Sequence, residues 1–378
     1  MDISFKVDPE IFIGSDTLSM AGTIVSRYGT RIMIATDKNT DAQSVNRLKE
    51  ILEDSRLEAI VFDGIEEESS AELADNIAEL SIAAHCDAMI SFGGLKTQII
   101  ARMAAIMAPS HITAFELLDG NNSQNKFLPL LAIPTEGLNP FSLTKYFITT
   151  DPRSRMIKST ASPENLYTAV IIDTNLYKFL AGSNAAAFVL EGFFCAIEAF
   201  CSAKANFFSD TILERAINYY AKLLKTPIDA INGVNSELFS QANFLCALGC
   251  AASSPGFGAA LSTAINARSS APKPFCSAAI FPHIAERLVS ARPEKMARAS
   301  AFLSNVKTVS TSEAAAAAID NIRNIMTALN VPFDLKSYNI SLDRLTAAAE
   351  NARNLDFVAN SPYPVAEEDV FKILKVIL

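Results

Sequence analysis

Histidine, the side chain most often used for acid–base and metal chemistry near neutral pH, occurs only three times in this chain of 378 residues, as His85, His111 and His283. His85 and His111 sit beside turn-forming residues and read as surface positions, and His283 reads as a polar residue beside a helix start. Six cysteines, Cys86, Cys195, Cys201, Cys246, Cys250 and Cys276, fall at no zinc-finger spacing and read as reduced thiols, most simply as small core residues. No Ser-His-Asp set and no Walker-type loop is present, so hydrolase and kinase chemistry have nothing to work with. One turn has a shape suited to ligand chemistry, Phe92-Gly93-Gly94-Leu95, after the apolar run from Ala88 to Ser91 and before a helical stretch from Thr97 to Met107. A glycine turn there lets a dinucleotide pyrophosphate approach the helix N-terminus; the alternative is a tight strand-to-helix turn that binds nothing.

Those residues must be held by a large fold. Half the residues are hydrophobic, and the length exceeds what one core usually organises, so two domains are expected. From residue 1 to about 180, short apolar runs such as Arg31 to Ala35, Ala59 to Phe62 and Ala88 to Phe92 alternate with helical patterns, as in a parallel α/β sheet. Asp119 to Lys126 has loop composition. From 181 to 378 the strand signals vanish and alanine-rich helical patterns take over, including Ser312 to Ile325. A net charge of −9 and a pI near 5.0 argue against nucleic acid and favour a small-molecule ligand, expected between the two domains. Glu191, Glu198 and Lys204 break the apolar stretch from Ala185 to Phe208, so no membrane span is expected. The first residues, from Met1, lack the pattern of a signal peptide, and a cytoplasmic protein is expected. Ile3 to Ile13 reads as an edge strand that could pair in a homodimer.

The segments Ile322-Arg323-Asn324-Ile325-Met326, Leu329-Asn330-Val331-Pro332, Ala348-Ala349-Glu350-Asn351-Ala352 and Asn360-Ser361-Pro362 together resemble the C-terminal signature of the iron-containing alcohol dehydrogenases. Ala196 to Phe200, Ala279 to His283 and Ala132-Ile133-Pro134-Thr135 are similar to further blocks of that family, in order along nearly the whole chain. The resemblance implies the dehydroquinate synthase-like fold: a Rossmann-like α/β domain over 1–180 and a helical domain over 181–378. It implies NAD bound through Asp37, Gly93, Gly94 and Thr135, with Asp37 near the adenosine ribose disfavouring NADP. Against the family's three glycines, serine and aspartate, this chain has Phe92, Leu95 and Gln98 at the first, fourth and seventh places. Its Thr-Thr-Ala-Gly-Thr-Gly-Ser-Glu motif reads Thr135 to Ser142 here, with Pro140 and Phe141 expected to narrow or fill the nicotinamide pocket.

The family's metal ligands, an aspartate and three histidines, correspond by the same resemblance to Glu191, Cys195, Leu261 and Lys273, and the histidine four residues after the third ligand corresponds to Ile265. Only Glu191 and Cys195 could ligate, fewer than the three protein ligands usual in a catalytic site, so no metal is expected. Lys273 could put its ammonium where the metal charge lay and pair with Glu191; alternatively both side chains are solvated. Two functions follow from the resemblance: an NAD(P)-linked oxidoreductase of small alcohols or aldehydes, with Lys273 or Tyr146 as the available acid, or an inactive homologue acting as a small-molecule binder, regulator or partner protein.

Overall fold

In the computed structural model, the described residues are 5–65, 70–121, 126–163, 166–179, 182–225, 228, 231, 233–303 and 310–378. The chain divides into two compact units: Met1–Asn139 with Lys145–Ser154 and Lys158–Lys178, and Pro140–Thr144 with Arg155–Ile157 and Phe179–Leu378.

The first unit is built on strands β1 (Glu10–Gly14), β2 (Arg31–Asp37), β3 (Glu58–Ile65), β4 (Ala88–Gly93), β5 (Leu130–Pro134) and β8 (Tyr167–Asp173). They form one sheet in the order β1-β8-β5-β4-β2-β3, with every pairing parallel. Parallel strands covered on both faces need unbroken apolar runs, and this is why Ile32 to Ala35, Met89 to Phe92 and Leu130 to Ile133 are all buried. β6 (Tyr146–Asp151) and β7 (Met156–Ala161) form a separate two-stranded sheet that the apolar-run pattern does not announce.

Helices α1 (Ala21–Val25), α2 (Ala42–Asp54), α3 (Ser70–Ala83), α4 (Leu95–Ser110) and α5 (Ala114–Leu118) accompany the large sheet. Asp41 starts α2 by accepting the Ser44 N–H at 2.9 Å, and Thr113 with Glu116 closes a capping box on α5. The core gathers Leu18, Ile24, Leu48 and Leu52 against Ile32, Ile34, Ile90, Phe92, Leu131, Ile133 and Ile171. β1 is an edge strand, so its outer hydrogen-bonding side has no partner in the sheet of the described residues. Of the expected loop from Asp119 to Lys126, residues 122–125 lie outside the described residues, as do Ile3 and Ser4 of the expected edge strand.

The second unit is helical: α6 (Gly182–Cys201), α7 (Phe207–Leu224), α8 (Gly233–Ala252), α9 (Phe257–Asn266), α10 (Lys273–Ala291), α11 (Pro293–Leu303), α12 (Thr311–Ala328), α13 (Leu342–Arg353) and α14 (Glu367–Ile377). α6 packs on α7, α8 and α10, and α9 packs on α10 and α13. Its window Asn184–Cys201 has a mean hydropathy of 1.5 and would pass for a membrane span by length and composition, but 83% of it is buried within the structure, as expected of a core helix. One local expectation needs correction. His283 stands in the middle of α10, directly after Pro282, because the preceding Pro272-Lys273-Pro274 already starts that helix. The Pro-Lys-Pro segment is therefore the beginning of α10, with Pro272 at its N-cap.

Candidate functional site

The order of the first sheet reverses between β2 and β4, and in an open parallel sheet ligands bind beyond the C-terminal strand ends at such a reversal. Asp37 closes β2, Gly93 closes β4, and Thr135 and Glu136 follow β5. The α4 N-terminus opens there, with Gly94 as its N-cap and no side chain of its own to cap it. Two N–H groups at this end are nonetheless engaged by carboxylates. Asp37 Oδ2 accepts from the Gly94 N–H at 3.1 Å and from the Thr97 hydroxyl at 2.6 Å, while Oδ1 accepts from the Asn39 N–H and the Thr40 hydroxyl. Glu136 Oε2 accepts from the Leu95 N–H at 3.2 Å.

Two carboxylates therefore stand at the helix end where an anionic phosphate would be attracted by the dipole and the free N–H groups. The glycines are needed for this closeness: a Cβ on Gly94 would lie 2.4 Å from Glu136 Oε2, and one on Gly93 would lie 2.3 Å from Asp37 Oδ2. Gln98 takes up the space below the turn, exchanging hydrogen bonds with Ser91 and donating to the Gly93 carbonyl at 3.2 Å. The Thr135 N–H is bonded to the same carbonyl at 3.1 Å. Asp37, Gly93, Gly94 and Thr135 are thus brought together, and Glu136, which sequence reasoning did not single out, completes the group. Its only sequence signal is its place in the altered Thr135 to Ser142 motif.

In the second unit Glu191 and Cys195 lie one turn apart on α6, and Lys273 begins α10. Lys273 Nζ donates to Glu191 Oε1 in a close ion pair whose side chains are only 8% and 15% exposed. The solvated alternative is overturned, because the first turn of α10 packs against α6 and withdraws both groups from water. Burial alone would lower the Lys273 pKa, but the charge and hydrogen bond of Glu191 outweigh it and hold the ammonium above its ordinary value.

The pair borders a cavity of about 10 Å³, lined also by Pro140, Phe194, Glu198 and Phe281, with space for about one water. Phe141 is buried and meets the Phe357 ring edge-on at 5.3 Å, so its side chain fills protein interior. Leu261 and Ile265 are buried as well and offer no ligand atom. Tyr146 is on β6 of the first unit and is half-buried.

Two features of this unit escaped the sequence. Glu198, 4% exposed, reaches from α6 to accept the Gly258 N–H at 2.7 Å and the Ala259 N–H at 3.1 Å. It caps α9, whose own N-cap, Gly256, has no side chain. Burial pushes its pKa up to about 8 against the pull of those two donors. The second is a cluster of thiols. Cys246 and Cys250 are one turn apart on α8 and face Cys195, with the Cys195 and Cys250 sulfurs 3.8 Å apart. The expectation that Cys246 and Cys250 show no chemical spacing is corrected: their i, i+4 separation puts both on the helix face that meets α6. Hydrogen bonds from Cys195 and Cys250 lower the Cys246 pKa and raise their own.

Two family descriptions match this chain, "Iron-containing alcohol dehydrogenase" over residues 8–174 and "Fe-containing alcohol dehydrogenase family, C-terminal" over residues 185–378. The 1,3-propanediol dehydrogenase of Citrobacter freundii is 22% identical over 96% of both chains. Among solved structures, a 1,3-propanediol oxidoreductase superposes with a TM-score of 0.90 at 21% identity, and an alcohol dehydrogenase from Oenococcus oeni with 0.89 at 21%, each covering 100% of both chains. At such identities the superpositions speak for the fold, a parallel-sheet Rossmann-like unit followed by a helical one. With both halves matched by their descriptions, the chain belongs to the iron-containing alcohol dehydrogenase family.

Proposed function

We propose that this chain keeps the dehydrogenase fold without metal-dependent alcohol chemistry, and acts as a small-molecule-binding or regulatory homologue. The observation that carries this reading is the buried Lys273–Glu191 pair. By the family correspondence these two residues take ligand positions, and here a fixed ammonium supplies the positive charge a divalent ion would bring. The side chains present do not fit the family's catalytic iron: Lys273 is held protonated and cannot ligate, Glu191 is engaged by it, and Leu261 has no donor atom. Cys195 is left as the other donor at these positions, and its sulfur lies against that of Cys250.

The same reading extends to the cofactor. NAD is the dinucleotide this family resemblance suggests, but Asp37 and Glu136 present carboxylates to the seat of its pyrophosphate, and like charges there cost affinity. The partner is a small molecule and neither nucleic acid nor a membrane, given the net charge of −9 and the buried α6. Six free, buried cysteines suit the cell interior, and the unpaired side of β1 suits a homodimer.

The test is anaerobic reconstitution of the purified protein with ferrous iron or zinc, followed by assay with NADH or NAD over a panel of small aldehydes and alcohols. No turnover above the protein-free rate is expected with either metal. Metal-stimulated turnover that disappears in Glu191→Ala would overturn the proposal.

A further inference from the structure

The thiol cluster lies outside the nucleotide seat and shares only Cys195 with the ligand positions implied by the family. The sulfurs of Cys195, Cys246 and Cys250 all lie within 4.8 Å of one another. Three thiolates at about 2.3 Å from a central ion lie roughly 4 Å apart in trigonal geometry, so modest side-chain rotation closes this group around one ion. The three residues are 4%, 2% and 1% exposed, and all are free thiols. Their helices are already packed: α8 is held against α6 and α7, and the Cys246 sulfur lies 3.6 Å from the Gly192 carbonyl on α6. Tyr220, on α7, donates its hydroxyl to Asn243 at 3.0 Å beside the group and is buried. The site is thus buried, preassembled and made of sulfur.

We propose that Cys195, Cys246 and Cys250 form a binding site for one thiophilic d10 ion, held as a three-coordinate thiolate complex of the Cu(I) type. Soft thiolates select such ions over the hard divalent cations, which require oxygen ligands. Three-coordination suits Cu(I) better than Zn(II), whose structural sites have four ligands. On binding, each thiol still protonated releases its proton to solvent, three metal–sulfur bonds form, and no electron is transferred.

The full, reduced protein is titrated anaerobically with Cu(I) against a chromophoric Cu(I) chelator, and its metal environment is read by X-ray absorption. One Cu(I) per chain, withdrawn from the chelator and surrounded by three sulfurs at about 2.3 Å, is expected. Cys246→Ser with Cys250→Ser should lose this binding with its helical circular dichroism intact, whereas Cys86→Ser with Cys276→Ser should retain it. Failure of the wild-type protein to compete, unchanged binding by the Cys246/Cys250 variant, or a first shell dominated by oxygen and nitrogen would overturn the assignment. Because the readout is occupancy and coordination, its failure is distinct from the appearance of dehydrogenase turnover.

Discussion

Lys273→Met alone should destabilise the fold by about 3–5 kcal/mol, while Lys273→Met combined with Glu191→Leu should cost at most about 1 kcal/mol or be stabilising. The single change strands the Glu191 carboxylate, whose side chain is only 15% exposed, at the edge of a cavity with space for about one water. The double change removes both charges and replaces them with apolar groups that α6 and α10 can pack. Urea denaturation of the wild type, both single variants and the double variant measures the coupling directly. Additive effects would mean that the two side chains do not depend on one another, and the ion pair could then not stand in for a metal charge.

The second large effect concerns Glu198 and pH. Its folded pKa is raised to about 8, above the ordinary 4.5, so its contribution to stability is fully present below about pH 4.5 and is lost as pH rises through about 8. The full difference is on the order of 3–5 kcal/mol. Glu198→Gln removes the ionisation but turns an amide N–H₂ toward one of the two α9 donors, which costs about 1–3 kcal/mol. Between pH 5 and pH 9 the wild-type denaturation midpoint should therefore fall more steeply than that of Glu198→Gln, and because the loss exceeds the cost of the amide the two profiles should cross. Parallel profiles would show that Glu198 titrates near its ordinary value in the folded protein.

The sheet was legible because its strands are short, buried and apolar: Arg31 to Ala35 and Ala88 to Phe92 need no distant partner to be recognised. Their ends were less so, since Thr36 and Asp37 extend β2 as polar residues and α4 begins at Leu95, two residues before its apparent start. The pairing of Lys273 with Glu191 was conceivable from residue types, but only the packing of α10 on α6 decides between a buried pair and two solvated ends. Glu136 and Glu198 were invisible as site residues because their function lies in backbone donors 41 and 60 residues away along the chain. The spacing of Cys246 and Cys250 was available, yet its third member, Cys195, is 55 residues from Cys250 and is supplied by another helix.

A single physical theme connects the two units, each considered alone. On the proposed reading, both seats that the family resemblance implies are occupied by the chain's own side chains: carboxylates on the α4 N-terminus and an ammonium on Glu191. Both fillings use hydrogen bonds that also hold the fold together, so the proposed loss of metal chemistry and the retention of architecture rest on the same contacts.

The most direct measurement is titration of the purified protein with NADH, followed by the cofactor's own fluorescence, which no tryptophan in this chain disturbs. The wild type should show no saturable binding up to millimolar NADH. Glu136→Thr, which removes the carboxylate from the Leu95 N–H, should bind at least about tenfold more tightly, a gain of about 1.4 kcal/mol. Saturable micromolar binding by the wild-type protein would contradict the account, because the seat that Asp37 and Glu136 are taken to fill would then be open to a dinucleotide.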